Sequence, residues 1–385
     1  ARRSKHFDMR MQGDKIKIKQ DKIACPLTEL DLGVTLKGGQ SFRWFSQDSA
    51  YRGIFYGCVW TLEQNETHIS YTVQGPLMDD IDYNKVLSDY FRLDISLEEE
   101  CRKWIKGDQH FQSALNRISG VRILNQDVIE NVFSFICSSN NNIQRISSMV
   151  EKLCSLFGEK ICTIEHKEYY TFPTIEALTD DNVEVMLKKE KFGYRAGYIA
   201  NTAKRLKELG GREWLLNLQK QNNVSYYKAR EQLITLPGIG PKVADCVCLM
   251  SLGHLEAIPV DTHIFQIARE KYLMHLKQQK TVTPKIHEEI SNHLRELWGP
   301  LAGWAQAIVF CAKINNTNAI ANKKRKNKGH TLNVFYVYEN EQRETSIFYY
   351  KKKKKRILQE DKILNIVHTL KTSIYNIIHK LKNQL

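Results

Sequence analysis

The stretch LPGIGPKVAD at residues 236–245 joins two segments that both have helical patterns. In the preceding segment, 225–236, apolar residues recur at helical spacing and form one stripe: Tyr226, Ala229, Leu233 and Leu236. After the stretch, Pro241 has the place of a first helical residue, and the pattern continues until Gly253 ends it. The sequence therefore predicts a helix, a glycine hairpin and a second helix over residues 225–253.

The hairpin carries two glycines whose missing side chains leave backbone N–H groups uncovered. Gly238 and Gly240 both precede the N-terminus of the second helix. Because the helix dipole favours negative charge at that end, the arrangement is suited to a phosphate group.

Two side chains near the hairpin suggest chemistry. Lys242 lies in the first turn of the second helix, where the dipole disfavours a cation and favours a neutral, nucleophilic amine. Nineteen residues later, Asp261 in PVDTH (259–263) is placed to cap the next helix and to bring a carboxylate near that amine. Each residue alone has a plainer interpretation, a solvated lysine and a simple helix cap. Together with a phosphate-binding turn, they predict attack on a sugar carbon.

These motifs are similar to those of a known family. LPGIGPKVADC and PVDTH resemble the helix-hairpin-helix, Gly/Pro-Asp superfamily of DNA glycosylases. Four further blocks narrow the resemblance to the eukaryotic 8-oxoguanine DNA glycosylases: GGQSFRW at 38–44, FSFICSSNNNIQRI at 133–146, FGYRAGYI at 192–199 and GPLAGWAQAIVF at 299–310. The resemblance extends over residues 20–315.

The resemblance implies a bifunctional repair enzyme that excises 8-oxoguanine opposite cytosine from double-stranded DNA. It assigns Lys242 as the nucleophile that attacks C1′ and forms a Schiff base, and Asp261 as the carboxylate that stabilises the positive sugar and assists proton transfer. β-Elimination then nicks the strand on the 3′ side, which is an AP lyase activity. Backbone contacts with DNA are assigned to Gly238, Gly240 and His263. No cofactor is expected, and a monovalent cation at the hairpin backbone is an option.

The resemblance also places four residues around the extruded damaged base. Phe310 and the Cys246 sulfur would stack on it, Gln306 would read its Watson–Crick edge, and the Gly39 carbonyl would accept its N7 hydrogen. That hydrogen exists only in the lesion, because N7 of guanine is an acceptor. Normal guanine would leave that carbonyl unpaired, a penalty of about 1–3 kcal/mol. Without the resemblance, Gly39 reads as a turn residue and Phe310 as a core aromatic.

Four more residues are assigned to the base left opposite the lesion. Asn140 would fill the gap, Arg145 and Arg195 would donate to the cytosine, and Tyr194 would wedge beside it. The residue patterns alone do not distinguish these roles from plainer interpretations. The arginines could be surface residues, the tyrosine a core residue and the asparagine a helix cap.

The expected fold class is α+β, an N-terminal antiparallel β-sheet domain with helices followed by an all-α helix-hairpin-helix glycosylase domain. Alternating apolar residues over 16–75 predict strands, and the remainder up to 315 has helical patterns. The predicted segments are a basic arm (1–15), an α+β domain (16–118), a helical domain (119–315) and a basic tail (316–385). The tail is expected to be disordered, with a C-terminal helix as an option.

The net charge of +14 is distributed unevenly. The tail carries 16 Lys and Arg against five Asp and Glu, so the first 315 residues have a net charge of only +3. Runs at 323–328 (KKRKNK) and 351–356 (KKKKKR) are typical of nuclear import or nucleic-acid binding, and also of a solvated charged surface. We expect a nuclear protein, with a mitochondrial form as an option, acting as a monomer.

Several other classes of site and location are not expected. Nine cysteines without a CxxC pair indicate reduced thiols, and no apolar run approaches the roughly 20 residues that cross a membrane. His287-Glu288 lacks the second histidine of a zinc motif, since position 291 is serine. Only Cys311 follows Asp261, so the iron–sulfur cluster of some superfamily members cannot form.

Two alternative functions remain. The first is a related glycosylase for another lesion, which the GQSFRW block and the missing cluster cysteines disfavour. The second is a non-catalytic DNA-binding module that uses the hairpin as a phosphate clamp. A clamp requires neither Lys242 nor Asp261, so their joint presence favours an enzyme.

Overall fold

The computed structural model describes residues 16–314, so the predicted arm (1–15) and tail (316–385) lie outside the described residues. Its first part is a five-stranded antiparallel sheet with strand order β1-β5-β4-β3-β2. The strands are β1 (Lys17–Ala24), β2 (Phe45–Gln47), β3 (Ala50–Phe55), β4 (Cys58–Gln64) and β5 (His68–Gly75). The antiparallel sheet predicted from the alternating pattern is confirmed.

One face of this sheet is buried, as the alternation requires. In β5, Ile69, Tyr71 and Val73 are buried while the residues between them are not. They join Trp60 and Leu62 of β4 in a core that also includes residues of the first two helices. The sheet is therefore closed on one side by helices.

Helices make up most of the described residues after the sheet. The helices α1 (Leu32–Lys37) and α2 (Tyr83–Phe91) pack on the sheet, and α3 (Leu97–Gly107) and α4 (Gln109–Leu115) pack in the core of the helical part. The later helices are α5 (Val128–Ser138), α6 (Ile143–Phe157), α7 (Val183–Lys189), α8 (Arg195–Leu209), α9 (Gly211–Leu216), α10 (Tyr226–Ile234), α11 (Pro241–Ser251), α12 (Thr262–Ile267), α13 (Pro284–Trp298) and α14 (302–314). The predicted α+β fold class is confirmed. The boundary at 118/119 lies between α4 and α5 and stays a prediction.

One element in the helical part differs from the sequence expectation. Strands β6 (Lys160–Ile164) and β7 (Lys167–Tyr170) form a hairpin where helices were expected. Its two turn residues, Glu165 and His166, both have positive φ without a glycine to signal the turn. The hairpin is stabilised by tertiary packing, because Ile161, Cys162 and Tyr169 are buried against β3 and β4 of the main sheet. A local pattern could not reveal that contact.

The GGQSFRW block connects the sheet to the helical part. The Gln40 side chain donates to the Arg122 carbonyl at 2.7 Å and accepts from the Leu124 amide at 3.0 Å. Phe42 packs edge-on against Phe135 of α5, with ring centroids 5.6 Å apart. These buried contacts hold the loop before β2 in a defined position over α5.

The last two helices are more apolar than their sequence pattern suggested. By length and composition, the helical stretch Pro284–Ile314 could cross a membrane. However, 61% of its most apolar window is buried within the protein, which is typical of a core helix. The expectation that no such apolar run exists is corrected to that extent.

Candidate active site

The glycine hairpin lies between α10 and α11 as predicted, with Pro241 at the first position of α11. Gly240 is the N-cap residue of α11, and no side chain caps this end. Gly238 has φ +76°, and a Cβ atom there would lie 2.6 Å from the ring of Tyr198, so glycine is required at this position. The N–H groups at the start of α11 and the two glycines have the arrangement that the sequence predicted, and phosphate binding there stays a prediction.

Lys242 extends from the first turn of α11 toward the end of α5. Its side chain is half-buried, with Nζ 3.4 Å from Ser138 Oγ and 4.7 Å from the centroid of the Phe135 ring. In the part of the chain that the structure describes, no carboxylate forms an ion pair with Nζ. The amine therefore contacts a hydroxyl group and an aromatic face, and it forms no ion pair among the described residues.

Asp261 and Cys246 complete the surroundings of this amine. Asp261 is the N-cap of α12, and its Oδ1 accepts from the Ile264 amide at 2.8 Å, as the sequence predicted. Cys246 is one turn after Lys242 and is 2% exposed. Burial raises the pKa of its thiol to about 11, with Lys242 acting in the opposite direction and Asp261 in the same direction. Cys246 is therefore a buried, neutral thiol.

The other predicted base-pocket residues come from α14 and from the loop after α1. Gln306 and Phe310 are four residues apart on α14 and share a face, and the Phe310 ring lies 5.8 Å from that of His263. Gly38 and Gly39 follow α1, and a Cβ atom on Gly38 would lie 3.1 Å from Cys311 Sγ. The loop that carries the Gly39 carbonyl thus packs directly on the helix that carries Phe310.

The residues assigned to the opposite base lie around the turn between α5 and α6. Asn140 is exposed and has φ +47°. Tyr194 Oη donates to the Ser139 carbonyl at 3.1 Å, and Arg195 donates to the same carbonyl and to that of Asn140 at 3.2 Å. Arg145 is exposed, and its guanidinium donates to the Lys191 carbonyl at 3.3 Å. Tyr194 and Arg195 therefore hold the turn that presents Asn140.

The sequence did not predict a buried polar cluster that lies on α10, α11 and α13. Asp245 of α11 is fully buried and accepts from Tyr226 Oη at 2.7 Å and from Arg230 Nε at 2.8 Å. His287 of α13 has Nε2 3.1 Å from Asp245 Oδ2 and Nδ1 3.5 Å from Arg230 Nη2. Neither His287 Nε2 nor Asp245 Oδ2 has a hydrogen-bond partner among the described residues, so their approach is an electrostatic contact without hydrogen-bond geometry. The cluster joins both helices of the hairpin motif to α13.

The sequence contained only part of this signal. Tyr226 was recognised as part of the apolar stripe, but its hydroxyl reaches Asp245 inside the core. Burial, together with the Asp245 carboxylate, raises the pKa of Tyr226, so its hydroxyl stays a donor. Asp245 ends the decisive motif, yet a helical aspartate is usually exposed, and only tertiary contacts show that this one is buried.

The described residues offer no set of metal ligands. Residues 16–314 contain no group of three or more His, Cys, Asp or Glu side chains that could hold a metal ion. All nine cysteines lie in this range and are free and buried. His287, dismissed as a zinc ligand from the sequence, instead contacts Asp245.

Two protein families match successive parts of the chain. The family model for the N-terminal domain of 8-oxoguanine DNA glycosylase matches residues 22–132. The model for the HhH-GPD superfamily of base excision DNA repair proteins follows at residues 133–300. Together they include every predicted site residue except Gln306 and Phe310, which lie just beyond the second match.

Full-length relatives and solved structures agree with these families. The chain is 39% identical to an N-glycosylase/DNA lyase of Arabidopsis thaliana, over 74% of this chain and 78% of the relative. It is 36% identical to that of Saccharomyces cerevisiae, over 79% and 90%. A crystal structure of the Clostridium acetobutylicum 8-oxoguanine glycosylase/lyase with double-stranded DNA has a TM-score of 0.66 and 28% identity, covering 79% of this chain and 99% of that one.

The resemblance inferred from the motifs is confirmed by both family models and by relatives that align with most of the described residues. The enzyme class follows from the same matches, because the curated relatives are N-glycosylase/DNA lyases. The chain belongs to the 8-oxoguanine DNA glycosylase family of bifunctional N-glycosylase/DNA lyases, within the HhH-GPD superfamily.

Proposed function

We propose that this chain excises 8-oxoguanine opposite cytosine in double-stranded DNA through a Schiff base on Lys242, and then cleaves the strand by β-elimination. The observation that carries the proposal is the placement of Lys242. Its amine is half-buried in the first turn of α11, close to Cys246, and has no ion pair among the described residues, while Asp261 also acts on the Cys246 thiol. An amine that attacks a sugar carbon must be accessible to the substrate and must not be held in an ion pair.

The chemistry assigned to Lys242 has three steps. Its Nζ–C1′ bond forms as the bond from C1′ to the base breaks, and the bonding electrons leave with the base. The nitrogen then loses one proton, its lone pair forms the C=N bond as the C1′–O4′ bond opens, and O4′ takes up a proton, which gives the protonated Schiff base. Removal of a 2′ hydrogen then expels the 3′ phosphate oxygen, which is the lyase reaction.

Asp261 supports the first step electrostatically. As the bond to the base breaks, C1′ and O4′ gain positive charge, which a nearby carboxylate stabilises. Asp261 keeps one oxygen on the Ile264 amide, so its position is fixed before the substrate binds. Preorganised charge of this kind avoids reorganisation during the reaction.

Lesion recognition is assigned to the loop after α1 and to α14. The Gly39 carbonyl accepts the N7 hydrogen of 8-oxoguanine, Gln306 reads the other edge, and Phe310 stacks on the base. Packing of Gly38 against Cys311 supports this assignment, because it ties the lesion-reading carbonyl to the stacking helix. A shift of either part would change the shape of the base slot.

Double-stranded DNA is the proposed partner. A base inside the stack is out of reach of Lys242, so it must be extruded at a cost of a few kcal/mol. We assign Asn140 to the gap, Arg145 and Arg195 to the cytosine, and Tyr194 to the wedge. The Clostridium acetobutylicum glycosylase/lyase was crystallised with double-stranded DNA that contains cytosine opposite 8-oxoguanine, which supports the same partner here.

The remaining assignments concern the DNA backbone, a bound cation, the oligomeric state and the location in the cell. Gly238, Gly240 and His263 contact DNA phosphates, and a monovalent cation binds the hairpin carbonyls in the complex. The protein acts as a monomer in the nucleus, with a mitochondrial form as a second location. The two basic runs at 323–328 and 351–356 support the nuclear assignment.

Borohydride trapping tests the central claim. Borohydride added during reaction with an 8-oxoguanine:cytosine duplex reduces the Schiff base, so the protein should become covalently attached to DNA. Lys242→Gln should abolish trapping and strand cleavage while duplex binding remains. Lys85→Gln is the control, because Lys85 is an exposed residue of α2 paired with Asp89. Trapping that persisted in Lys242→Gln would contradict the assignment.

A further inference from the structure

One face of α8 carries three polar side chains at every fourth position. Tyr194, Tyr198 and Thr202 follow each other at the i, i+4 and i+8 positions, so they lie in one row along the helix. Tyr194 is the N-cap residue, with helical backbone angles, and the row spans about 12 Å at 1.5 Å per residue. Of these three, only Tyr194 has been given a role above.

The two ends of this row contact two different proposed DNA-binding loops. At one end, Tyr194 Oη donates to the Ser139 carbonyl at 3.1 Å, in the turn that presents Asn140. At the other end, Thr202 Oγ1 donates to the Pro237 carbonyl at 2.5 Å, in the glycine hairpin. The row therefore bridges the turn after α5 and the hairpin before α11.

Tyr198 fills the space between these ends. A Cβ atom on Gly238 would lie 2.6 Å from the Tyr198 ring, so the ring rests directly on the hairpin backbone. Its other neighbour is Tyr194, with ring centroids 5.8 Å apart in an edge-to-face arrangement. The side chain is nevertheless 41% exposed, which is more than a purely structural core residue would show.

The buried side of α8 fixes this row in the fold. Ala196, Ile199, Ala203 and Leu206 are fully buried in the main core. The helix ends at Gly210, whose left-handed conformation closes the last turn. Because the buried face cannot slide without opening the core, the row keeps a constant length and orientation.

We propose that this face of α8 sets the spacing between the hairpin that holds the lesion-strand phosphate and the turn that reads the orphaned cytosine. Tyr198 and Thr202 are positioning residues for base extrusion, acting through Gly238 and through the turn at 139–140. The inference rests on the proposed function, since it assumes that both loops contact DNA. It adds residues that connect the two loops and contact neither the base nor the sugar.

The physical reason is that extrusion depends on two simultaneous contacts. The hairpin must hold the backbone while Asn140 and Tyr194 occupy the gap, and either contact made alone leaves the base free to return to the stack. If the separation varies, fewer encounters place both groups correctly, and a misplacement near 1 Å costs about 100-fold in rate. A reaction that needs no extruded base should be far less sensitive.

The test compares two reactions of each variant. Tyr198→Ala removes the ring from the hairpin, and Thr202→Val removes the hydroxyl while keeping the shape. We expect each to lower single-turnover excision of 8-oxoguanine opposite cytosine by about tenfold or more. Borohydride trapping on a preformed abasic site, where no base is extruded, should change less than about twofold. The ratio of excision opposite cytosine to that opposite adenine should also fall.

Matched variants separate positioning from folding. Tyr198→Phe keeps the ring and should restore excision to within about twofold of the parent. Thr179→Val removes a comparable hydroxyl-to-carbonyl bond, from Thr179 Oγ1 to Glu176 at 2.7 Å, away from both loops, and should leave both reactions unchanged. If Tyr198→Ala did not fold, Thr202→Val and Tyr198→Leu would decide the question. Excision is compared with trapping, and cytosine with adenine, within one preparation, so neither comparison depends on the folded fraction.

Equal losses in excision and in abasic-site trapping would overturn the proposal, and so would an unchanged cytosine-to-adenine ratio. Failure of the proposed function would look different, because the parent protein would then give no trapped complex at all. A parent that traps normally, with variants that lose only excision, supports the positioning role of α8.

Discussion

The surroundings of Lys242 and those of Asn140 are built in opposite ways. Lys242 and Cys246 project from a buried helix, Cys246 is 2% exposed, and Asp245 below them is fully buried. Around Asn140, by contrast, Tyr194 is 54% exposed and Arg145 is exposed. Both side chains donate hydrogen bonds to backbone carbonyls. The proposed reaction centre is part of the core, whereas the proposed reader of the opposite base is a surface turn whose carbonyls accept from the exposed Tyr194 and the buried Arg195.

The difference predicts how each region responds to mutation. In the core, a changed charge is left without water, so stability and activity fall together. On the surface, water replaces a lost contact, so selectivity can change while the fold stays intact. The following predictions test this contrast, beginning with the largest effect.

Arg230→Ala should produce the largest loss of stability. It removes a donor to Asp245 and leaves a fully buried carboxylate with Tyr226 and His287 as its remaining side-chain partners among the described residues. Breaking one side of a buried ion pair typically costs about 3–5 kcal/mol in the free energy of unfolding. Urea unfolding followed by circular dichroism measures it.

The control for this change is Arg205→Ala. Arg205 forms an exposed pair with Glu208 on α8, and its loss should change the free energy of unfolding by less than about 0.5 kcal/mol. Similar stability losses in the two variants would remove the contrast between core and surface.

Arg145→Ala and Arg195→Ala should reduce the preference for cytosine opposite the lesion. Each removes a proposed donor to the cytosine acceptors, so the ratio of excision opposite cytosine to that opposite adenine should fall by an equivalent of about 1–3 kcal/mol. Single-turnover excision on the two duplexes gives the ratio.

The same two variants should differ in stability. Arg145 is exposed, so its loss should cost less than about 0.5 kcal/mol. Arg195 is 4% exposed and donates to two carbonyls, so its loss should cost about 1–3 kcal/mol. An unchanged cytosine preference in both variants would show that other groups read the opposite base.

Deletion of residues 316–385 should affect the proposed site least. The segment carries +11 of the +14 net charge, so binding to undamaged duplex should weaken, with a salt slope shallower by about 0.9 per lost phosphate contact. Excision at low salt should stay within about twofold, because Gly39, Lys242 and Phe310 precede the cut. Duplex binding across a salt series, with and without the segment, measures the effect. Loss of excision in a folded truncation would place catalytic groups in the tail.

Features that depend on neighbouring residues were predicted from the sequence. Pro241 at the start of α11 and Asp261 at the cap of α12 occupy the predicted positions. Gly238 has the positive φ that a glycine hairpin requires. Proline geometry, capping and glycine turns act over a few residues, so their signals are present in the local sequence. The family motifs extended this local information to the whole site.

Only the tertiary structure decided which polar groups are buried and what they contact. Asp245, Arg230 and His287 come from three helices, and the β6–β7 hairpin forms where its apolar residues meet the main sheet. Tyr198 reads as one more aromatic residue of a helix until its ring is seen against Gly238. Burial and hydrogen bonding between distant segments depend on how whole elements pack, and no local pattern of residues specifies that packing.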